Sequence, residues 1–253
     1  MAGMAALHLL IGIDDTDNLD TRGTGYRARS LAAELEEAGL ARVLGVTRHQ
    51  LLVDDAIPYT SHNSSACLGV MLDSEVDVEP LTHTCRDFLL RIAAPGSDVG
   101  LCIAPFETAR EIRDFGLEAQ TRVLPRQQAL DLAAARGMHL EGLSGDHQGV
   151  IGALAAVGLH AGGNDGRYLW VRNIRELADQ TLELAQLLQD TGVDLVLQMD
   201  NSPVQDLKST VALGHWPRPI PVNGRAALLV EEDDGGIANW KVVAKEVLKA
   251  YRP

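Results

Sequence analysis

Asp14, Asp15 and Asp17 place three carboxylates within four residues, directly after the apolar run Leu7 to Ile13. Carboxylates this close repel one another unless a cation or solvent screens them. Magnesium suits them: it takes oxygen ligands and binds through one or two carboxylates, with waters and substrate phosphates completing its shell. The same residue types also cap helices and shape turns, so Asp17, Asn18 and Asp20 have a purely structural reading too. The chain continues through Gly23, Thr24 and Gly25 into a helical pattern. Unpaired backbone N–H groups at a helix start favour an anion, so either a phosphate or an ordinary loop suits this turn. It is not a GxxxxGK[ST] phosphate loop.

A second glycine-rich stretch, Ser144 to Gly158, leads into an apolar segment through Gly149 and Gly152. Glycine weakens a helix, so these two serve a close approach, either of a nucleotide or of another element's backbone. Asp146 and His147 at its mouth are an acid/base pair or a solvent-facing one. The polar run through His62, Asn63 and Ser64 lies between two strand candidates and is expected to line the opposite wall of a nucleotide site.

These groups need a frame. Residues 7–13 are apolar on both faces and predict a buried central strand ending at the carboxylates. Helical spacing follows over 25–40 (Ala28, Leu31, Ala32, Leu35) and over 79–94 (Leu81, Cys85, Phe88, Leu89), with strand patterns at 42–53, 65–73 and 98–106. The order β-α-β-β-α-β is a split βαβ, a ferredoxin-like unit in which two helices cover one face of a four-stranded sheet. The expected class is α+β: this first unit over 1–106, and a second α+β unit over 107–253 that contributes the glycine-rich segment. In the second unit, helices are expected at 108–120, 126–136, 174–191 and 236–251, and strands at 167–172, 193–199 and 225–231.

Composition narrows the function. No stretch approaches the roughly 18 uninterrupted apolar residues of a membrane span. The N-terminal apolar run has no basic region before it, so it reads as a strand and not a signal peptide. Cys67, Cys85 and Cys102 are odd in number without CxxC spacing, which suits core thiols in a reducing cytoplasm. The formal charge of −13 opposes long-range attraction to a polyanion but not the local binding of a small anion such as ATP.

Three segments in sequence, IGIDDTDN (11–18), AIPYTSHNSSA (56–66) and GVIGALAAVG (149–158), resemble the archaeal agmatinylcytidine synthetases, which modify the wobble cytidine of an isoleucine tRNA. In that family the motifs read much like IGIDDTDS with a following Cys-Thr-Thr stretch, IPYKTRGNGA and GxIIGALAAIG. The resemblance spans residues 9–160. It implies an ATP- and Mg-dependent, kinase-like core that activates an oxygen by phosphorylation, with Asp14, Asp15 and Asp17 holding Mg-ATP. Thr24 is what remains here of a threonine able to accept phosphate, and the family's basic Lys and Arg in the second motif become Thr60 and His62. The family's C-terminal nucleic-acid-binding domain and zinc module are not recognisable in these 253 residues.

With the acidic balance, the expectation is a cytoplasmic Mg-ATP-dependent phosphotransferase or synthetase acting on a small molecule, with nucleic acid not a partner. Asp14, Asp15, Asp17 and Thr24 would be catalytic, and Gly23, Gly25, His62, Asn63, Ser64, Gly149 and Gly152 nucleotide-binding. The alternatives are a non-catalytic nucleotide-binding module, and an aspartyl phosphatase with Asp15 as nucleophile.

Overall fold

A computed structural model describes residues 6–57, 63–73 and 77–251. The chain divides into two compact units, Met1–Gly162 and Gly163–Pro253. The first runs β1 (Leu7–Asp14), α1 (Thr24–Glu37), β2 (Arg42–Gln50), β3 (Ser64–Leu72), α2 (Val78–Ile92) and β4 (Gly100–Pro105). It continues with α3 (Phe106–Arg110), α4 (Arg113–Ala119), α5 (Arg126–Ala135), β5 (His139–Gly142) and α6 (Val150–Gly162). Its strands lie in the order β5-β4-β1-β3-β2, with every neighbouring pair antiparallel. The class is α+β, and β1 is interior, as a strand apolar on both faces requires.

Strand side chains alternate between faces. Leu10 joins the buried cluster that includes Ala153, Leu154 and Val157 of α6. Leu9, Ile11 and Ile13 therefore point the opposite way, where α1 and α2 pack on the sheet. Helices thus cover both faces, not one. The division expected at residue 106 accordingly differs from the one observed after Gly162. The physical reason is α6: it is buried around its whole circumference from Gly152 to Leu159, and only the second sheet face offers it apolar surface on that scale. The glycine-rich segment belongs to the first unit.

Backbone meets backbone where α6 packs. A Cβ on Gly12 would lie 2.1 Å from the Ala153 carbonyl oxygen, one on Gly100 2.1 Å from that of Gly149, and one on Gly149 2.0 Å from that of Asp98. Beneath α6 the Thr47 hydroxyl bridges His49 Nε2 at 2.8 Å and His160 Nδ1 at 2.7 Å. Burial, and then His49 and His8, push the His160 imidazole down to about 3, so His160 is neutral. All three cysteines are buried free thiols, as expected, and burial raises the Cys85 thiol to about 12.

The second unit contains β6 (Arg167–Trp170), β7 (Thr181–Glu183), α7 (Leu184–Asp190), β8 (Leu195–Gln198), β9 (Thr210–Ala212), β10 (Ile220–Val222), β11 (Arg225–Glu232), β12 (Trp240–Val242) and α8 (Lys245–Ala250). Strand β11 is the axis, antiparallel to β10 and β12 and parallel to β8. Its alternating residues feed two cores: Ala226, Leu228 and Val230 on one face, Ala227 and Leu229 on the other. Asn223 and Gly224, both at positive φ, close the β10–β11 hairpin.

Three helix expectations are corrected. The 174–191 pattern is turns, then β7, then α7, because Thr181–Glu183 pairs with β9 and Asn173 and Asp179 take positive φ. The 236–251 pattern is strand over Trp240–Val242, which pairs with β11 and β9, and helix only from Lys245. The 108–120 pattern breaks into α3 and α4 at Glu111–Ile112.

The packing of α6 leaves no room for a side chain at position 12 of β1. Gly12→Ala is expected to lower the stability of the first unit by about 1–3 kcal/mol, the usual range for overpacking, read as a shift in the urea midpoint. An unchanged midpoint would mean that α6 lifts from the sheet at no cost.

Candidate functional site

Antiparallel pairing sets Asp14, the last residue of β1, opposite Gly100, the first of β4. Residues just after β1 therefore lie beside those just before β4. Asp15 turns the chain with φ 47, and its Oδ2 accepts from the Asp98 N–H at 3.2 Å. Thr16 is fully buried; its carbonyl accepts from Ala94 N at 3.1 Å and from the Arg27 guanidinium. Asp17 Oδ1 accepts from both Thr24 N, at 2.9 Å, and Thr24 Oγ1, at 2.7 Å, while Thr16 Oγ1 lies 3.0 Å from Thr24 Oγ1. Asp17 thus ties down the first residue of α1, so the capping reading holds for it. Asn18 shapes the turn: its Oδ1 accepts from Asp20 N at 3.1 Å and its Nδ2 donates to Pro95 O at 3.3 Å.

A cavity of about 400 Å³ opens over this turn, a size ordinary for a small-ligand site. Asp14, Asp15, Asp17 and Thr24 line it together with Asn63, Ser64, Gly149 and Gly152. Gly23 and Gly25 do not: Gly23 is the N-cap of α1, and Gly25 lies within its first turn. His62 lies outside the described residues. Asp146 and His147 are exposed and do not line the cavity, in keeping with the solvent-facing reading. Both lining glycines also serve packing, since a Cβ on Gly152 would lie 1.8 Å from Asp14 Oδ2 and one on Gly149 would meet the β4 approach. Asn63 and Ser64 have structural partners as well: Asn63 Nδ2 donates to Leu52 O at 2.6 Å, and Ser64 Oγ accepts from Arg48 Nε at 2.8 Å.

Three charged residues were not singled out from the sequence. Asp98 brings a fourth carboxylate and Arg122 a cation to the cavity lining. Arg48 sits behind Ser64, its guanidinium weakened as an ion by burial and strengthened by the Asp17 charge. Asp98 was recoverable from the strand order, because the residue before an antiparallel neighbour of β1 must stand beside the residues after it. Apolar residues also line the cavity, among them Leu51, Ile57, Ala119, Leu124 and Ile151.

Burial dominates the electrostatics of the acidic turn. Burial, and then the charge of Asp15, raise the Asp14 carboxyl to about 7; burial also raises Asp15, against the lowering bond from Asp98 N–H. Among the described residues no group of three or more His, Cys, Asp or Glu side chains is placed to hold a metal ion. One or two carboxylates plus substrate phosphates is the arrangement magnesium commonly uses.

No family model and no curated protein matches the sequence. Solved structures do, and they define an α+β core like that of TiaS. The crystal structure of TiaS in complex with an isoleucine tRNA and ATP matches at 26% identity and TM-score 0.54, over 60% of this chain and 36% of that one. Apo TiaS, described as a tRNA agmatidine synthetase, matches at 26% identity and TM-score 0.53, over 60% and 35%. A tRNA fluorescent labeling enzyme matches at 27% and 0.53, over 60% and 36%. The matched portion is thus little more than a third of the length of those proteins. The expectation that nucleic acid is not a partner is corrected here, because a protein with this core is crystallised with tRNA. Net charge governs long-range, non-specific attraction, whereas specific recognition depends on local donors. Among the described residues no helix is long and apolar enough to cross a membrane.

Asp14 supplies a signed pH test. Its folded value near 7 exceeds the ordinary carboxylate value of 3.8, so between the two the folded state holds a proton that the unfolded state has released. This contribution to stability is complete below the unfolded value and disappears as pH rises through the folded one. Without divalent cations, Asp14→Asn is expected to melt above wild type at pH 8 and to fall less between pH 5 and 8. Parallel pH profiles in thermal unfolding would refute this assignment.

Proposed function

We propose that the first unit is the catalytic core of an ATP-dependent synthetase that activates an oxygen of its acceptor by phosphorylation. The observation that carries this reading is the cavity, lined by four carboxylates and by apolar side chains, in a core like that of TiaS. Asp14, Asp15, Asp17 and Thr24 would hold the triphosphate, and the apolar lining residues would take the base. Asp14 and Asp15 would hold magnesium, which would neutralise phosphate charge. Asp17 receives the Thr24 hydroxyl hydrogen, so this pair is set to accept a phosphoryl group or to orient one. Positioning and charge neutralisation supply most of such catalysis.

The acceptor is proposed to be RNA, the class the matched TiaS structures contain. A small molecule is the second reading, favoured by the charge of −13. A cytoplasmic setting suits three buried, unpaired cysteines.

ATP with Mg is expected to raise the melting temperature by more than the sum of the two separate shifts, on the order of 5 °C when the ligand is at about 100 times its Kd. Asp15→Asn should remove that synergy and leave the apo protein folded, because it relieves repulsion. Equal shifts from ATP with and without Mg would sink the metal role. Nucleotide turnover with and without tRNA separates the two acceptors, and phosphate release from simple phosphoesters without ATP would revive the phosphatase reading.

A further inference from the structure

The loop between β9 and β10, Gly214-His215-Trp216-Pro217-Arg218-Pro219, is not part of the cavity. Pro217 and Pro219 are buried, whereas Trp216 beside them is 55% exposed. Backbone bonds hold the loop at both ends: Asp179 N donates to Gly214 O at 2.8 Å, and Tyr168 N donates to Pro219 O at 3.0 Å. Proline fixes φ, so the indole is presented with little backbone entropy left to lose. Two guanidiniums stand over its ring, Arg218 at 4.8 Å and Arg175 at 5.3 Å from the centroid. Residues 163–253 carry ten Lys and Arg against thirteen Asp and Glu, so this unit accounts for only −3 of the −13.

We propose that Trp216, with Arg175 and Arg218, is a binding site for single-stranded RNA, a proposal that rests on the RNA reading of the acceptor. An unstacked base finds a flat partner in an indole or a guanidinium plane. A single exposed indole needs no explanation. An indole held out beside two buried prolines, beneath two cations, in the less acidic unit, has the chemistry of a stacking platform with charged flanks.

The test uses the full chain and a labelled eight-nucleotide single-stranded RNA, with fluorescence anisotropy read from 0.05 to 0.15 M salt. Trp216→Ala should weaken binding roughly 10-fold, within the range of losing one base stack, and Trp216→Phe should retain part of the affinity. Arg175→Gln with Arg218→Gln should flatten the slope of log K against log salt by about 1.4, or about 0.7 for each phosphate no longer neutralised. Unfolding curves for each variant show that the fold persists. If wild type binds the RNA and Trp216→Ala binds equally, this site is refuted while an RNA acceptor stands. If wild type binds neither this RNA nor tRNA, the RNA reading falls and takes this site with it. If an oligoglutamate peptide of equal length binds as tightly and also depends on Trp216, the surface is for an acidic protein partner and the proposal is overturned.

Discussion

The first unit depends on the close approach of α6 to β1 and β4. Gly12 and Gly100 on the strands, and Gly149 at the entry to the helix, let backbone approach backbone where any Cβ would collide. That approach seals a sheet that would otherwise expose an apolar face, and it brings Gly152 against the Asp14 carboxylate. The burial that stabilises the fold therefore also raises the Asp14 proton affinity. Packing and electrostatics at this point are one constraint, because the same helix supplies apolar cover and removes water from an acid.

A second consequence concerns residues that serve two ends. The Asp17–Thr24 pair ties the acidic turn to the start of α1 and faces the cavity. Capping and ligand binding are often treated as rival explanations for such a residue. Here both hold for one residue, because Asp17 bonds Thr24 and also lines the cavity. The same holds for Gly149 and Gly152, which line the cavity because they lie where two elements converge.

Charge distribution matters more than the total. Most of the formal charge of −13 lies in the unit that gathers carboxylates around its cavity, whereas the second unit is nearly balanced and carries an exposed indole under two guanidiniums. Exposed charges more than a Debye length from a ligand are largely screened, so recognition depends on the charges near it. This is why a structural likeness to a tRNA-bound enzyme is compatible with so acidic a chain.

The sequence by itself determined the β-α-β-β-α-β order, the interior place of residues 7–13 and the acidic turn, because apolar period and turn residues are local signals. The three-motif resemblance to a synthetase core was legible for the same reason, being carried by short contiguous runs. Tertiary structure alone decided the rest. Arg122 joins the site through the convergence of segments distant in sequence, which leaves no mark on neighbouring residues. Residues 174–191 and 236–251 have helical spacing yet yield strand at Thr181–Glu183 and Trp240–Val242, since pairing with β9 and β11 outweighs weak local propensity. The unit boundary moved from residue 106 to Gly162 because a helix apolar on every side must be enclosed, and only the assembled sheet shows where enclosure is available.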